Sequence, residues 1–168
     1  MKRPEWFERQ FQFGLTPAML PFFLERLEGT MARLEKKVSD VPDSLLVFQP
    51  GGKWSIKQQI GHLAEVSQII TKRLGEIVAG ISPMSPAVFE PKLDYNSQPV
   101  STVLEYFAES RMSTLKAYQN LSETDCQKVS LHPRLRAMMN PVDLAYFDAE
   151  HDDHHLLKIT DIKNSKKN

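Results

Sequence analysis

Apolar residues recur at intervals of three and four along four segments of the chain, which is the period of an amphipathic helix. The first segment follows Thr16–Pro17, where an N-cap residue precedes a helix-compatible proline. Pro21 can delay the start by one turn, because proline is tolerated only near the beginning of a helix. The pattern predicts a helix that ends before Val41–Pro42.

The second and third segments each begin with a capping-box pattern. Ser55–Gln58 follows a turn and precedes a continuous apolar stripe, which ends at Gly80. The third segment begins at Ser101 or Thr102, and Thr102–Glu105 is again a capping box. Each of these patterns predicts one helix of roughly 20–25 residues.

The last segment opens at Asn140–Pro141 and is expected to run to about Lys163. No segment alternates with a period of two, so the chain reads as all-α, and four long helices predict an antiparallel four-helix bundle. The loop 81–100 is long enough to cross one end of such a bundle. We expect a single domain over residues 1–168, with an extension at 1–14 and a frayed tail at 164–168.

Composition excludes several classes of protein. Twenty-one basic and twenty-one acidic residues cancel, whereas a protein that binds nucleic acid through phosphates needs a basic excess. No stretch approaches 18 apolar residues and the first residues lack an apolar core, so neither a membrane partner nor a signal peptide is expected. The single cysteine, Cys126, suits a reducing compartment, and we expect a cytoplasmic protein.

Histidines stand where the bundle core should be apolar. His151 and His155 lie about 40° apart on the last helix and project from the middle of its apolar stripe. His62 lies at the border of the stripe on the second helix and could point at the same place. Three imidazoles with an open position are typical of a catalytic metal site, although a buried histidine is more often a hydrogen-bonded core residue.

Two acids accompany the pair on the last helix. Asp148 lies on the inner face, where it could hold an imidazole tautomer, bind the metal, or be a solvated acid of the first turns. Asp152 is about 100° from His151 and is expected to flank the site. His154 lies about 60° to the other side, and we interpret it as a boundary residue that is not a ligand.

The two histidine segments, taken together, resemble the DinB/YfiT-like superfamily. The residues that carry the resemblance are GKWSIKQQIGHLAEV and AEHDDHHLLKI, with support from LERLEGTMARLEKKV, from LHPRL and from the RxxxL pattern at Arg111 to Leu115. The resemblance implies an up-down-down-up four-helix bundle with a long crossover. It also implies one divalent metal, usually zinc or nickel, held by His62, His151 and His155, and a homodimer.

The resemblance leaves the reaction open. Relatives include S-transferases that use a low-molecular-weight thiol as cosubstrate, so a thiol S-transferase acting on small electrophiles is our first expectation. The alternatives are a metal-dependent hydrolase and a non-catalytic metal-binding bundle of the stress response. An accessible pocket beside the histidines would favour catalysis, whereas a dry and saturated site would favour a structural role.

Overall fold

The chain forms a bundle of helices with a very small hairpin at one end. The computed structural model describes residues 3–87 and 90–165. Within those residues the elements are α1 (Leu20–Glu28), α2 (Thr30–Val38), α3 (Asp43–Leu46), α4 (Ile56–Val78), α5 (Val100–Gln119), β1 (Ser130–Leu131), β2 (Met138–Met139) and α6 (Pro141–Ser165). The two strands pair antiparallel and are two residues long each, so the predicted all-α class is confirmed.

Four long arms make the bundle, and their topology is the predicted up-down-down-up arrangement. The first arm is α1 followed by α2, and α4, α5 and α6 are the other three. The connection between α4 and α5 is the long crossover that the sequence predicts. No helix in the described part of the chain combines the length and the apolar character that a membrane span needs.

The first arm differs in detail from the predicted single helix. A 3₁₀ turn at Pro17–Met19 precedes α1, because Pro21 sits in the first turn of the α-helix. Gly29 separates α1 from α2, yet its N–H bonds to the Glu25 carbonyl at 3.0 Å and its carbonyl accepts from the Arg33 N–H at 3.2 Å. The backbone hydrogen bonding therefore continues across the break.

Of the four predicted helix starts, two are confirmed by their side-chain caps. Ser55 and Gln58 form a reciprocal capping box at the start of α4. Asn140 Oδ1 accepts from the Asp143 N–H at 2.8 Å, and the Asp143 carboxylate accepts from the Asn140 N–H at 3.1 Å. The predicted box at Thr102 is wrong, because Pro99 has an extended backbone and already starts α5.

The bundle interior consists of two apolar clusters with a polar layer between them. One cluster lies around Leu27, Ile77 and Tyr118, and the other lies around Ile60 and Phe107. Where the clusters meet, each arm contributes buried polar side chains, which are Thr30, His62, Ser67, Arg111, Thr114, Asp148, Asp152 and His155. This layer holds the candidate site.

The amino-terminal extension contacts the bundle, and α6 runs past its predicted end. The ring of Trp6 lies 5.1 Å from that of Phe147, and the ring of Phe11 is also 5.1 Å from Phe147. The amino-terminal extension therefore packs on α6, because aromatic rings bury large apolar areas. At the other end α6 continues to Ser165, two residues beyond the predicted end at Lys163, and 166–168 lie outside the described residues, so the frayed tail stays a prediction.

Candidate metal centre

Three histidines from two helices meet inside the bundle. His62 lies on α4, and His151 and His155 lie one turn apart on α6. One ring nitrogen from each lies within 4.8 Å of the other two, and the Nε2 atoms of His151 and His155 are 3.0 Å apart. The spacing therefore predicted the correct helical phase, and this group, which we call the histidine triad, could hold a metal ion. His154 lies outside the triad and contacts the ring of Trp6.

The triad is in the protonation state that metal binding requires. Burial lowers the pKa of His62 to about 4, because the charged ring would lose its hydration. Burial lowers the pKa values of His151 and His155 well below their ordinary range for the same reason. Neutral imidazole is the form that ligates a metal, so the site is prepared for an ion without loss of a proton near neutral pH.

Gln59 fixes the tautomer of His155. The Nδ1–H of His155 donates to the Oε1 atom of Gln59, so Nε2 presents its lone pair to the triad. Sequence reasoning missed Gln59, although a signal was present. It lies three residues before His62 on α4, and it is a polar residue on a face that is otherwise apolar.

The two acids of α6 are held by one buried arginine. Arg111 of α5 donates to Asp148 Oδ2 at 2.6 Å and to both Asp152 oxygens at 2.8 and 3.0 Å. The Thr30 hydroxyl donates to Asp152 at 2.6 Å. Burial raises the pKa values of both carboxyls, and the guanidinium opposes this effect. In the described part of the chain, both acids therefore form their hydrogen bonds with Arg111 and Thr30 and not with imidazole.

Three buried polar atoms at the site lack a partner in the described part of the chain. They are the Nδ1 atoms of His62 and His151 and the Oδ1 atom of Asp148. An unsatisfied buried polar atom costs about 1–3 kcal/mol. A metal ion would satisfy imidazole nitrogens at the triad. A carboxylate oxygen of Asp148 also lies within 4.8 Å of a ring nitrogen of His151. The residues present therefore fit a divalent ion.

Cavities reach the triad from one side. A cavity of about 300 Å³ is lined by all three histidines together with Trp6 and Trp54. The ring of Trp54 lies 4.6 Å from that of His62, and the ring of Trp6 lies 5.2 Å from that of His151. A second cavity, of about 250 Å³, begins at His151 and has mostly apolar walls. A small molecule can therefore approach the triad from an apolar space.

Comparison with known proteins places the chain in a family. No curated protein matches the chain significantly. Among solved structures, YfiT from Bacillus subtilis superposes with a TM-score of 0.82 at 18% identity, covering 95% of this chain and 94% of that one. YfiT is described as a probable metal-dependent hydrolase with an unusual four-helix bundle topology, and at this identity the likeness establishes the fold. The model of the DinB superfamily matches residues 26–159, which include the whole triad. The chain belongs to the DinB superfamily.

Proposed function

We propose that this protein is a metal-dependent hydrolase of small esters or amides, with one divalent ion held by His62, His151 and His155. The observation that carries the proposal is the convergence of three neutral, buried imidazoles at the wall of an apolar cavity. Zinc or nickel is the ion that we expect. Three neutral imidazoles are the ligand set of a catalytic site, which keeps an open position.

The bound ion would supply Lewis-acid activation of water near neutral pH. The protein supplies the orientation of the ligands. Gln59 holds His155 with its Nε2 atom towards the triad. Asp148 would hold His151 in the same way, since Asp148 Oδ1 and His151 Nδ1 both lack a partner in the described part of the chain and a carboxylate oxygen of Asp148 lies within 4.8 Å of a ring nitrogen of His151. Arg111 in turn holds Asp148 in place through its other oxygen.

The cavities support catalysis over a purely structural ion. A structural site is closed on all sides, whereas here Trp6 and Trp54 border open space beside the three histidines. The cavity of about 250 Å³ suits one small substrate. The description of YfiT as a probable metal-dependent hydrolase adds support to the hydrolase over the thiol S-transferase.

In the hydrolytic step the oxygen of water forms a bond to the acyl carbon. The bond from the acyl carbon to the leaving oxygen or nitrogen breaks, and a proton of the water goes to the leaving group. The apolar walls exclude other water from the reacting carbon, which strengthens the electrostatic interactions there. No oxidant, reductant or cosubstrate other than water is consumed.

Metal analysis of purified protein tests the site. The wild-type chain should bind about one equivalent of zinc or nickel, and the His151→Ala and His155→Ala variants should lose it while remaining helical by circular dichroism. His154→Ala is the matched control, because His154 is adjacent on α6 and outside the triad. Retention of the metal by His151→Ala, or its loss from His154→Ala, would show that the ligand assignment is incorrect.

Activity is then measured on protein reconstituted with each metal. A panel of small carboxylic esters and amides should be hydrolysed by the wild-type protein and not by His155→Ala. The same preparations are offered a low-molecular-weight thiol together with an electrophile. Metal-dependent conjugation without hydrolysis would overturn the hydrolase in favour of an S-transferase. Absence of both activities at full metal occupancy would identify a structural ion.

A further inference from the structure

The cavity that begins at His151 ends at a buried cation. Its walls between the two ends are mostly apolar, and Arg73 of α4 lies at the far end with 4% of its surface exposed. Arg73 follows His62 by eleven residues on the same helix, which places their backbones about 16 Å apart. An apolar passage therefore separates the charged end of the cavity from the histidine triad. The residues of the passage are Val66, Ile69, Ile70, Leu135 and Phe147.

Arg73 is not neutralised by a direct ion pair in the described part of the chain. Its Nε–H donates to the Ser85 carbonyl at 3.0 Å, and its Nη1 atom faces His132 Nε2 at 3.1 Å. Glu76 acts on its charge from a distance, while the Glu76 carboxylate itself accepts bonds from the N–H and the hydroxyl of Ser85. A buried guanidinium with these contacts can still donate hydrogen bonds to a further acceptor.

His132 adds a second donor beside Arg73. Its Nδ1 atom accepts from the backbone N–H groups of Arg134 at 3.3 Å and Leu135 at 3.1 Å. Burial and the neighbouring Arg73 lower the pKa of His132 to about 4, so the ring is neutral and has one N–H. Because Nδ1 is the acceptor, that N–H is at Nε2, the atom that faces Arg73 Nη1.

Two donors that face each other at 3.1 Å need a common acceptor. The backbone amides of Arg134 and Leu135 are fixed by the turn, whereas the guanidinium borders open space and can turn towards a ligand. We propose that Arg73 and His132 bind the carboxylate of a compact, apolar monocarboxylic acid whose hydrocarbon part fills the cavity. The proposal rests on the proposed function in one respect, namely that this molecule is the substrate.

The charged side chains around the cavity determine how a ligand is oriented in it and what net charge the ligand carries. At the other end the cavity is lined by Asp148, whose carboxylate is paired with Arg111, and by Arg134, an exposed side chain that stacks on Phe7. Arg73 is therefore the buried cation of this cavity lining. Glu76 offsets part of the charge of Arg73, so a single negative charge fits better than the double charge of a phosphate. The substrate class is therefore an ester or amide that bears one carboxylate, separated from the reacting bond by an apolar spacer of several carbons.

The volume limits the size of this ligand. The cavity of about 250 Å³ is smaller than the usual range of about 300–1,000 Å³ for small-molecule pockets. 4-Phenylbutanoate is a suitable probe, because it joins one carboxylate to a short apolar chain and one ring. 4-Phenylbutanamide has the same shape without the charge, so the pair measures the contribution of the anion alone.

Calorimetry with metal-free, full-length protein tests the inference. The wild-type chain should bind 4-phenylbutanoate at least tenfold more tightly than 4-phenylbutanamide. Arg73→Met should abolish that preference, and His132→Asn should reduce it, since asparagine can accept the backbone bonds but lacks the donor at Nε2. Lys72→Met is the matched control, because Lys72 is adjacent, exposed and of the same charge, and its preference should be unchanged.

Several outcomes would overturn the inference. One is equal affinity of the wild-type protein for 4-phenylbutanoate and 4-phenylbutanamide, and another is no binding of either compound. A third is a loss of the preference for the acid in Lys72→Met as large as the loss in Arg73→Met. If Arg73→Met proves unfolded by circular dichroism, Arg73→Gln takes its place, and a preference that survives undiminished in both Arg73→Gln and His132→Asn would overturn the inference. Binding of the acid that disappears in His155→Ala would place the carboxylate at the triad instead. Failure of metal binding together with an Arg73-dependent preference would refute the proposed function and leave the carboxylate site in place.

Discussion

Replacement of Arg111 by methionine should destabilise the protein severely. Arg111 has 2% of its side chain exposed, and Asp148 and Asp152 have none. The substitution keeps an apolar chain of similar length but removes the three bonds that hold the two carboxylates. Both acids then remain buried beside each other without a counter-charge, and a buried ion without its partner costs several kcal/mol.

The structure sets the size of the effect. Removal of one member of a buried ion pair costs about 3–5 kcal/mol, which for a chain of this length corresponds to a fall in Tm of about 6–20 °C. Urea and thermal unfolding of metal-free protein, followed by circular dichroism, measure both quantities. Arg26→Met is the matched control. Arg26 pairs with Glu150 and Asp153, but a third of its side chain is exposed, so its loss should cost about 1 kcal/mol or less.

A rescue experiment separates lost pairing from lost packing. The triple variant Arg111→Met, Asp148→Asn, Asp152→Asn removes the charges along with the cation, and it should recover most of the lost stability. Equal stability of wild type and Arg111→Met would refute the reasoning. A triple variant that is as unstable as the single variant would also refute it, because packing and not charge would then explain the loss.

Four further predictions follow from particular contacts. Gln59→Leu should weaken metal affinity about 10- to 100-fold, because His155 loses the acceptor for its Nδ1–H. A competition titration with a chelator measures this affinity, and an unchanged value would contradict the prediction. Gly61→Ala should lower the unfolding free energy by about 1–3 kcal/mol, because a Cβ there would overlap the ring of Tyr95. Gly75→Ala on the same helix meets open space, and urea titrations should show it to be neutral or stabilising. His132→Asn should remove about 3 kcal/mol from the pH dependence of the unfolding free energy. The pKa of His132 is lowered from 6.5 to about 4, so its contribution to stability is complete above pH 6.5 and is lost as the pH falls towards 4. An equal change in unfolding free energy between pH 7.5 and 4.5 for wild type and variant would contradict this. The homodimer remains a prediction, and light scattering should give twice the chain mass of 19.3 kDa, with a monomer at high concentration as the contrary result.

The sequence by itself determined the main helices, their order and the face of α6 that carries His151 and His155. The helical periodicity of the apolar residues fixes which face of each helix is apolar, and this depends only on local backbone geometry. The capping residues Ser55 and Asn140 bond to backbone groups within three residues of themselves. The phase of His151 and His155 is local in the same sense, because both lie on one helix. These features depend on neighbours in the chain, which is why they could be read from the sequence.

Only the tertiary structure decided the partners of the site. Arg111 meets Asp148 and Asp152 because α5 and α6 face each other across the bundle core, each packed against α4 and the first arm. The amino-terminal extension borders the triad because Trp6 packs on α6. The facing donors of Arg73 and His132 join α4 to the turn between the two strands, 59 residues apart. Such contacts depend on how helices are rotated and docked. No local spacing encodes that rotation, because burial of the two apolar clusters sets it for the bundle as a whole.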